Sequence, residues 1–490
     1  MMEQHKRLKN KMLKIKLFFH GECYLFRLFR FFQQILQSFV FHASKNIFVL
    51  SFSSVLLLLS SCMTASKTDE ISVLLDKVKT GRFFQVNLSG GIPVVIKEST
   101  KDFEQISFAM IFQNDYSALN EKNAGAARII FNSLFPDSQN SEVFSCFDSV
   151  NSDYFIFGFS CKKEIFSEKA ESFLDEFFSA ELTANSFARA VRECQLSLAQ
   201  PSVLPELFMN QVRSQVFSGT PYAFSPYPTQ LSLNSLTFEQ AQEILQNLRV
   251  SSSMKIVSCG DFDEKSAASL ILLLEKKIGK ILSADSAPEN KVHFEPEIKN
   301  TQTITDKFQL IENDLILERM NATELSESLL LGCFKCPQFS SDDYLAFAIS
   351  TIIFDSILKN SPMLVEQNAI STGCGILPLH IPLGFISSMH SPSSEKTLQA
   401  LKDAIMQFPD KTELSRTLMP YKKHYARQLI LAYNSSETEL KSLVSSWIYL
   451  GNPAEYTSRI EKLNSVTAGQ VCLAFQKYFV MQDIEWFILE

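Results

Sequence analysis

Residues 82–98, RFFQVNLSGGIPVVIKE, alternate apolar and polar side chains on either side of Ser-Gly-Gly, and a period of two around a glycine turn predicts a β-hairpin. ISFAMIFQN (106–114) predicts a further strand. The period then changes. In NAGAARIIFNSLF (123–135), Ala127, Ile130, Leu134 and Phe135 form the apolar face of a helix. DYFIFGFSCK (153–162) predicts a fourth strand, and amphipathic stretches at 165–180, 183–199 and 205–217 predict three helices. SLTFEQAQEILQNL reads as another helix, MKIVSCG (254–260) as a strand, and Glu264 to about Ile281 as a closing helix.

A polar stretch with two prolines follows, SADSAPENKVHFEPEIKNTQ, and behaves as a linker. The plan then repeats. Strands are predicted at 305–311, 315–320 and 327–334, and an apolar helix at 342–359. STGCGILPL and GFISSMH predict two more strands, followed by helices at 394–407, 412–432, 436–450 and 467–479 and a last strand, IEWFILE. The repeat is visible in letters too. Asn234-Ser235-Leu236-Thr237-Phe238-Glu239-Gln240 and Asn464-Ser465-Val466-Thr467-Ala468-Gly469-Gln470 share N-S-x-T-x-x-Q, each opening a helix that leads into a strand, with Ser or Thr as natural N-cap. Upstream of each sits a Gly-x-Pro turn, Gly219-Thr220-Pro221 and Gly451-Asn452-Pro453. Two matches in register point to duplication. The expected fold class is α+β: two tandem, similar α+β domains, each a mostly antiparallel sheet with helices on one face.

Length and composition fit this plan. With 490 residues, 46% of them apolar, the chain can bury substantial cores, and its 43 Phe are read as core and strand-face filling. Charge changes the picture once it is divided at residue 62. Nine of the 46 Lys and Arg, but only two of the 53 acidic residues, lie up to that point, so the remainder is acidic by about 14 charges. Such a body disfavours nucleic acid, which is bound by neutralising phosphates.

The N-terminal end carries an address. In KNIFVLSFSSVLLLLSSC, Lys45 precedes an uncharged apolar run from Ile47 to Leu59, the h-region pattern of a secretory signal and too short to span a bilayer comfortably. It ends in Leu59-Ser60-Ser61-Cys62, which resembles the lipobox of bacterial lipoproteins, whose cysteine takes fatty acyl chains such as palmitate; the alternative is an ordinary cysteine closing a signal anchor. The expected organisation is a leader and signal peptide at 1–61, the lipidated Cys62 and a tether at 62–82, an N-terminal domain at 83–290, a linker at 291–304 and a C-terminal domain at 305–490. The leader is unusually long, which suggests a true start near Leu36 or Val40. Cys62 makes the membrane the first expected partner, at a bacterial envelope location facing away from the cytoplasm.

Ten cysteines invite a disulfide framework, but their spacing is irregular. Cys23 and Cys62 belong to the leader, while Cys146, Cys161, Cys194, Cys259, Cys374 and Cys472 lie singly in apolar surroundings and are read as buried thiols. Cys333-Phe334-Lys335-Cys336 is the only C-x-x-C, at the expected end of a strand, whereas a redox pair opens a helix.

The series NLSGGIPVVIKE, GAARIIFNSLF, SLTFEQAQEILQNLRVSSSMKIVSCGDFDEK and NSVTAGQVCLAFQKYF resembles the pitrilysin/insulinase family of zinc metallopeptidases, from about residue 83 to the end. The resemblance implies that GAARIIFNSLF aligns with the inverted zinc motif H-x-x-E-H. There, two His at i and i+4 ligate zinc from one helix face and the Glu is the base for the metal-bound water. The corresponding residues here are Arg128, Phe131 and Asn132. A guanidinium does not deprotonate to ligate, a phenyl ring accepts no proton, and a neutral amide is a poor zinc ligand. For the family's further glutamate ligand, SFARAVRECQLSLAQ offers Glu193. The family's substrate-holding Arg and Tyr align with Val365 and Thr372, in a segment, LVEQNAISTGCG, that holds neither residue type.

No shift of register restores the motif. The seven His are His5, His20, His42, His293, His380, His390 and His424, and no two are four apart. His380 and His390, in adjacent predicted strands, are the one close pair and are read as structural. Arg128 has Asp115, Glu121 or the lining of a cleft as open alternatives. No catalytic residue, metal or cofactor is expected. Three functions remain: a non-catalytic subunit whose partner is another pitrilysin-like chain or a second copy; a hydrolase with a relocated metal or nucleophile, against which G-x-S-x-G is absent; and a stand-alone peptide-binding lipoprotein.

Overall fold

The hairpin at the start of the first half forms as its alternation requires: β1 (Phe83–Asn87) and β2 (Pro93–Glu98) pair antiparallel, Phe83 opposite Lys97. The computed structural model describes residues 81–99, 104–113, 120–136, 143–199, 204–251, 253–279, 328–367, 369–390, 394–431 and 435–489. All belong to one unit, Leu74–Glu490. The leader, Cys62 and the tether to residue 80, Asp115, the linker at 291–304 and the strands expected at 305–311 and 315–320 lie outside the described residues.

In the first half, β3 (Gln105–Gln113), α1 (Ala126–Leu134), β4 (Phe144–Val150), β5 (Tyr154–Lys162), α2 (Phe166–Ser179), α3 (Ala184–Leu198), α4 (Leu204–Val216), α5 (Gln230–Ser235), α6 (Phe238–Arg249), β6 (Lys255–Gly260) and α7 (Glu264–Leu274) follow the hairpin. The strand β4 and the short α5 were not expected from the pattern, and the closing helix changes at Glu275 into a π turn, Glu275–Gly279. The second half repeats the order with β7 (Ser328–Lys335), α8 (Tyr344–Lys359), α9 (Pro362–Glu366), β8 (Ala369–Leu377), β9 (Leu383–His390), α10 (Ser394–Met406), α11 (Lys411–Leu431), α12 (Ser436–Leu450), α13 (Glu455–Ser465), α14 (Ala468–Tyr478) and β10 (Glu485–Leu489).

The sheets show the duplication directly. The first has the order β1-β2-β6-β3-β5-β4 and the second, among the described residues, β10-β7-β9-β8. Without the opening hairpin the two orders coincide, because β6 and β10 each follow the N-S-x-T-x-x-Q helix and pair antiparallel with β3 and β7 respectively. Both sheets are antiparallel apart from the β2–β6 pair. The repeated letters also acquire roles. Thr237 and Thr467 cap α6 and α14, and the Gln three residues on closes a reciprocal capping box, Gln240 Oε1 accepting from Thr237 N at 2.9 Å and Gln470 Oε1 from Thr467 N at 2.8 Å.

The faces of the first sheet alternate as a period of two requires. Ile106, Phe108, Met110 and Phe112 on β3, with Phe155, Phe157 and Phe159 on β5, point into a core with Phe166, Phe173 and Phe177 of α2. The opposite face, with Val95, Ala109, Ile111, Ile156 and Val257, is covered by Leu440, Leu443, Val444, Trp447 and Ile448 of α12, a helix from the second half. The exchange is mutual: Met209, Val212 and Val216 of α4, followed by Phe217 and Tyr222, cover Leu331 and Cys333 of β7, Leu383 of β9 and Phe487 of β10. Each Gly-x-Pro turn ends the exchanged helix, with Gly219 at φ 75° and Gly451 at φ 72°, a left-handed conformation natural to glycine. Each sheet therefore has its own helices on one face and a borrowed helix on the other.

Polar contacts fix the exchange. Lys97 of β2 and Glu439 of α12 form a buried ion pair, and Ser99 Oγ donates to Glu439 Oε2 at 2.9 Å. Ser107 Oγ lies 2.8 Å from Ser436 Oγ, at the start of α12. Asp153, buried between β4 and β5, accepts from the Tyr222 hydroxyl at 2.6 Å and from His380 N at 3.0 Å, and the Tyr449 hydroxyl lies 3.0 Å from its second oxygen.

Candidate functional site

Helix α1 starts at Gly125, whose φ of 71° and close approach to Pro228 exclude a side chain: a Cβ there would stand 2.0 Å from Pro228 N. The helix is pinned on two sides. Ile130, Phe131 and Leu134 enter the main core with Phe135, while Ala126 and Ile129 pack on Ala190 and Cys194 of α3 and on Leu233 and Leu236.

Phe131 stands where the resemblance implies a catalytic glutamate. It is 4% exposed, with its ring 5.1 Å from those of Phe135 and Phe157. Phe135 in turn stacks on Phe173 at 4.5 Å. Arg128 and Asn132, one turn apart, are only partly buried. The Arg128 side chain is 26% exposed, with Nε 3.8 Å from Asp148 Oδ2 on β4, so the ion pair seen here is with a residue the sequence reading did not consider. The Asn132 carbonyl accepts from Arg189 Nη2 at 2.8 Å, and its side chain stands beside Cys194.

Cys194, together with Ala190, faces α1 from α3. Its neighbour Glu193 is half exposed and bound at 3.0 Å by Arg189. Burial pushes the Cys194 thiol up to about 11, Arg128 and the Asn132 side chain working against it and Asp148 and Glu193 with it. Sequence reasoning missed Asp148 and Cys194, since neither aligns with a ligand of the family motif. A divalent cation would meet the Arg128 guanidinium, an amide and a protonated thiol, and the glutamate position is filled by an aromatic ring in a closed core. These residues do not fit zinc. Among the described residues, no group of three or more His, Cys, Asp and Glu side chains is placed to hold a metal.

Val365 and Thr372 lie on adjacent elements of the second half, Val365 67% exposed on α9 and Thr372 opposite Ser388 on β8, the last strand of the sheet among the described residues. His380 and His390 are not a pair in space. His380 lies in the bend before β9 and His390 ends that strand, with the seven residue steps of β9, about 23 Å of strand, between Leu383 and His390. The His380 ring meets Tyr449 edge to face at 5.3 Å, and His390 lies opposite Ser328. The described cysteines are free thiols, and Cys333 and Cys336 end a strand, as expected, with burial pushing both up.

No family model and no curated protein matches the chain. Solved structures of the M16, or pitrilysin, type share its fold. A protease from Helicobacter pylori superposes with a TM-score of 0.67 at 12% identity, covering 84% of this chain and 100% of that one. The inactive domain of a peptidase M16 from Pseudomonas fluorescens gives 0.63 at 13% identity, covering 83% and 97%. A chain of Complex III2 from Candida albicans gives 0.61 at 14% identity, covering 83% and 95%. At such identities the likeness defines the fold: an α+β, pitrilysin-like architecture.

Proposed function

We propose that this chain is a non-catalytic, peptidase-like lipoprotein of the bacterial envelope, anchored through acyl chains on Cys62, that serves as a binding or assembly subunit for another pitrilysin-like chain. The observation that carries the reading is Phe131, an aromatic ring in a closed core at the position where the family's chemistry needs a carboxylate. Arg128, paired with Asp148, and Asn132, beside a protonated Cys194, support it, because neither a guanidinium nor a neutral amide suits a metal-ligand position. The Pseudomonas neighbour, an inactive M16 domain, is a precedent for this fold without its chemistry. The test is recovery of the tagged chain from its own envelope with identification of co-purifying proteins. A stoichiometric partner carrying an intact H-x-x-E-H supports the subunit role, and consistent recovery of the chain alone removes it.

A second reading, a stand-alone peptide-binding lipoprotein, rests on β8. This strand lies at the edge of its sheet among the described residues and carries no charge from Ala369 to Leu377, a composition that suits pairing with an added strand. Tight binding of extended peptides by the purified chain would favour it.

A further inference from the structure

Strand β8 is the edge of the second sheet among the described residues, and from Ala369 to Leu377 it holds no charge and no proline, two of the usual guards of an edge. A helix supplies the guard instead. α8 packs along β8, and Asp355, near the end of that helix, reaches the strand. Its Oδ1 accepts from the backbone amide of Cys374 at 3.0 Å, and its Oδ2 from Lys359 Nζ at 2.6 Å. Opposed residues in an antiparallel ladder alternate between those that exchange hydrogen bonds and those whose main-chain groups turn away from the partner. Cys374, opposite Ile386, spends its amide on Asp355 and is of the second kind, and Thr372 and Ile376 share its phase. Asp355 therefore holds the middle one of three outward amides.

An Asp–Lys pair four residues apart forms on a helix surface without a third partner. Here one carboxylate oxygen is given to the neighbouring strand, at the amide an added strand would use. The matching helix of the first half makes a different contact with its edge strand, Arg128 of α1 reaching the side chain of Asp148 on β4. We infer that Asp355 is a latch on the outer edge of β8, which an incoming extended peptide displaces by offering its own carbonyl to the Cys374 amide. The inference rests on the strand-addition reading of β8. Its occupant is a peptide of uncharged, β-branched side chains, which suit a strand, whereas an acidic one would meet the Asp355 carboxylate. Once displaced, that carboxylate keeps Lys359 as its partner.

The test uses the full chain and a fluorescein-labelled peptide of alternating Thr and Val, with binding read by fluorescence anisotropy. Asp355→Ala removes the latch and should tighten binding on the order of tenfold. Asp355→Asn keeps an acceptor for the Cys374 amide and should stay near the parent. Without peptide, hydrogen exchange at Cys374 should quicken in Asp355→Ala, and peptide should slow it again. A control peptide with Pro in place of each Val cannot supply the strand's amides and should not bind. Equal binding by the parent and Asp355→Ala, or unchanged exchange at Cys374, overturns the latch and leaves strand addition standing. Binding by neither protein, or equal binding of the Pro peptide, overturns strand addition and the latch with it. Dimer formation by Asp355→Ala in place of peptide binding assigns the edge to a second copy and overturns the peptide occupant.

Discussion

Lys97 and Glu439 form an ion pair between β2 and α12, 342 residues apart in sequence, and both side chains are almost fully buried. With Ser99 as a further donor, the pair marks where the second half closes over the first half's sheet. Lys97→Met or Glu439→Met, each leaving the other charge buried, should cost about 3–5 kcal/mol, and the two together should cost much less than their sum. Urea denaturation of the four species measures this; additive losses would show that the two charges do not depend on each other.

Rebuilding the family motif should damage the fold before it creates a metal site. Phe131→Glu puts a carboxylate among Phe135 and Phe157 and should cost more than about 3 kcal/mol. The combined Arg128→His, Phe131→Glu, Asn132→His variant should melt well below the parent and hold no zinc after dialysis. A stable variant carrying one equivalent of zinc would mean that the frame of a zinc site survives beneath these substitutions.

Alkaline pH should weaken the fold. Burial raises the thiols of Cys146 and Cys161 to about 12 and of Cys194 to about 11. A thiol raised on folding contributes stability that is complete below its unfolded value and is lost as pH rises through the folded one, so the window opens near pH 9. At pH 10 the loss is on the order of 1 kcal/mol per thiol. Urea midpoints at pH 8 and 10 should differ accordingly, and less so in Cys146→Ala and Cys161→Ala, corrected for their own pH 8 losses. At Cys194, Arg128→Met should slow alkylation and Asp148→Asn should speed it.

Gly125→Ala should destabilise by about 1–3 kcal/mol, because the site helix begins at a left-handed residue in contact with Pro228. Gly91, also left-handed but with open space around it, should lose less on the same exchange. Thermal melts of the two variants make the comparison.

Much of this fold is legible in the sequence, and its exceptions have physical causes. β3 and β5 are apolar enough to be unmistakable, since their inner faces are lined with Phe. β4 escapes notice because Phe147 and Asp148 break its alternation, as an edge strand tolerates. α13 escapes because EYTSRIEKLNS is polar and lies between two better signals. Periodicity shows that α12 has an apolar face but not that the face belongs to the other half's sheet, and that choice is made by tertiary packing. At the site, the residue types at positions 128, 131 and 132 were readable, whereas Asp148 and Cys194 come from other elements and only the folded chain brings them alongside.

The borrowed helix sets a schedule for the newborn chain. The first sheet is complete in its strands once Gly260 has been made, yet one face stays bare until α12 ends at Leu450. At ordinary rates of synthesis that interval lasts about 10–40 s. For that time Val95, Ala109, Ile111 and Val257 have no cover of their own, so the chain depends on staying unfolded or attended until residues 436–450 arrive.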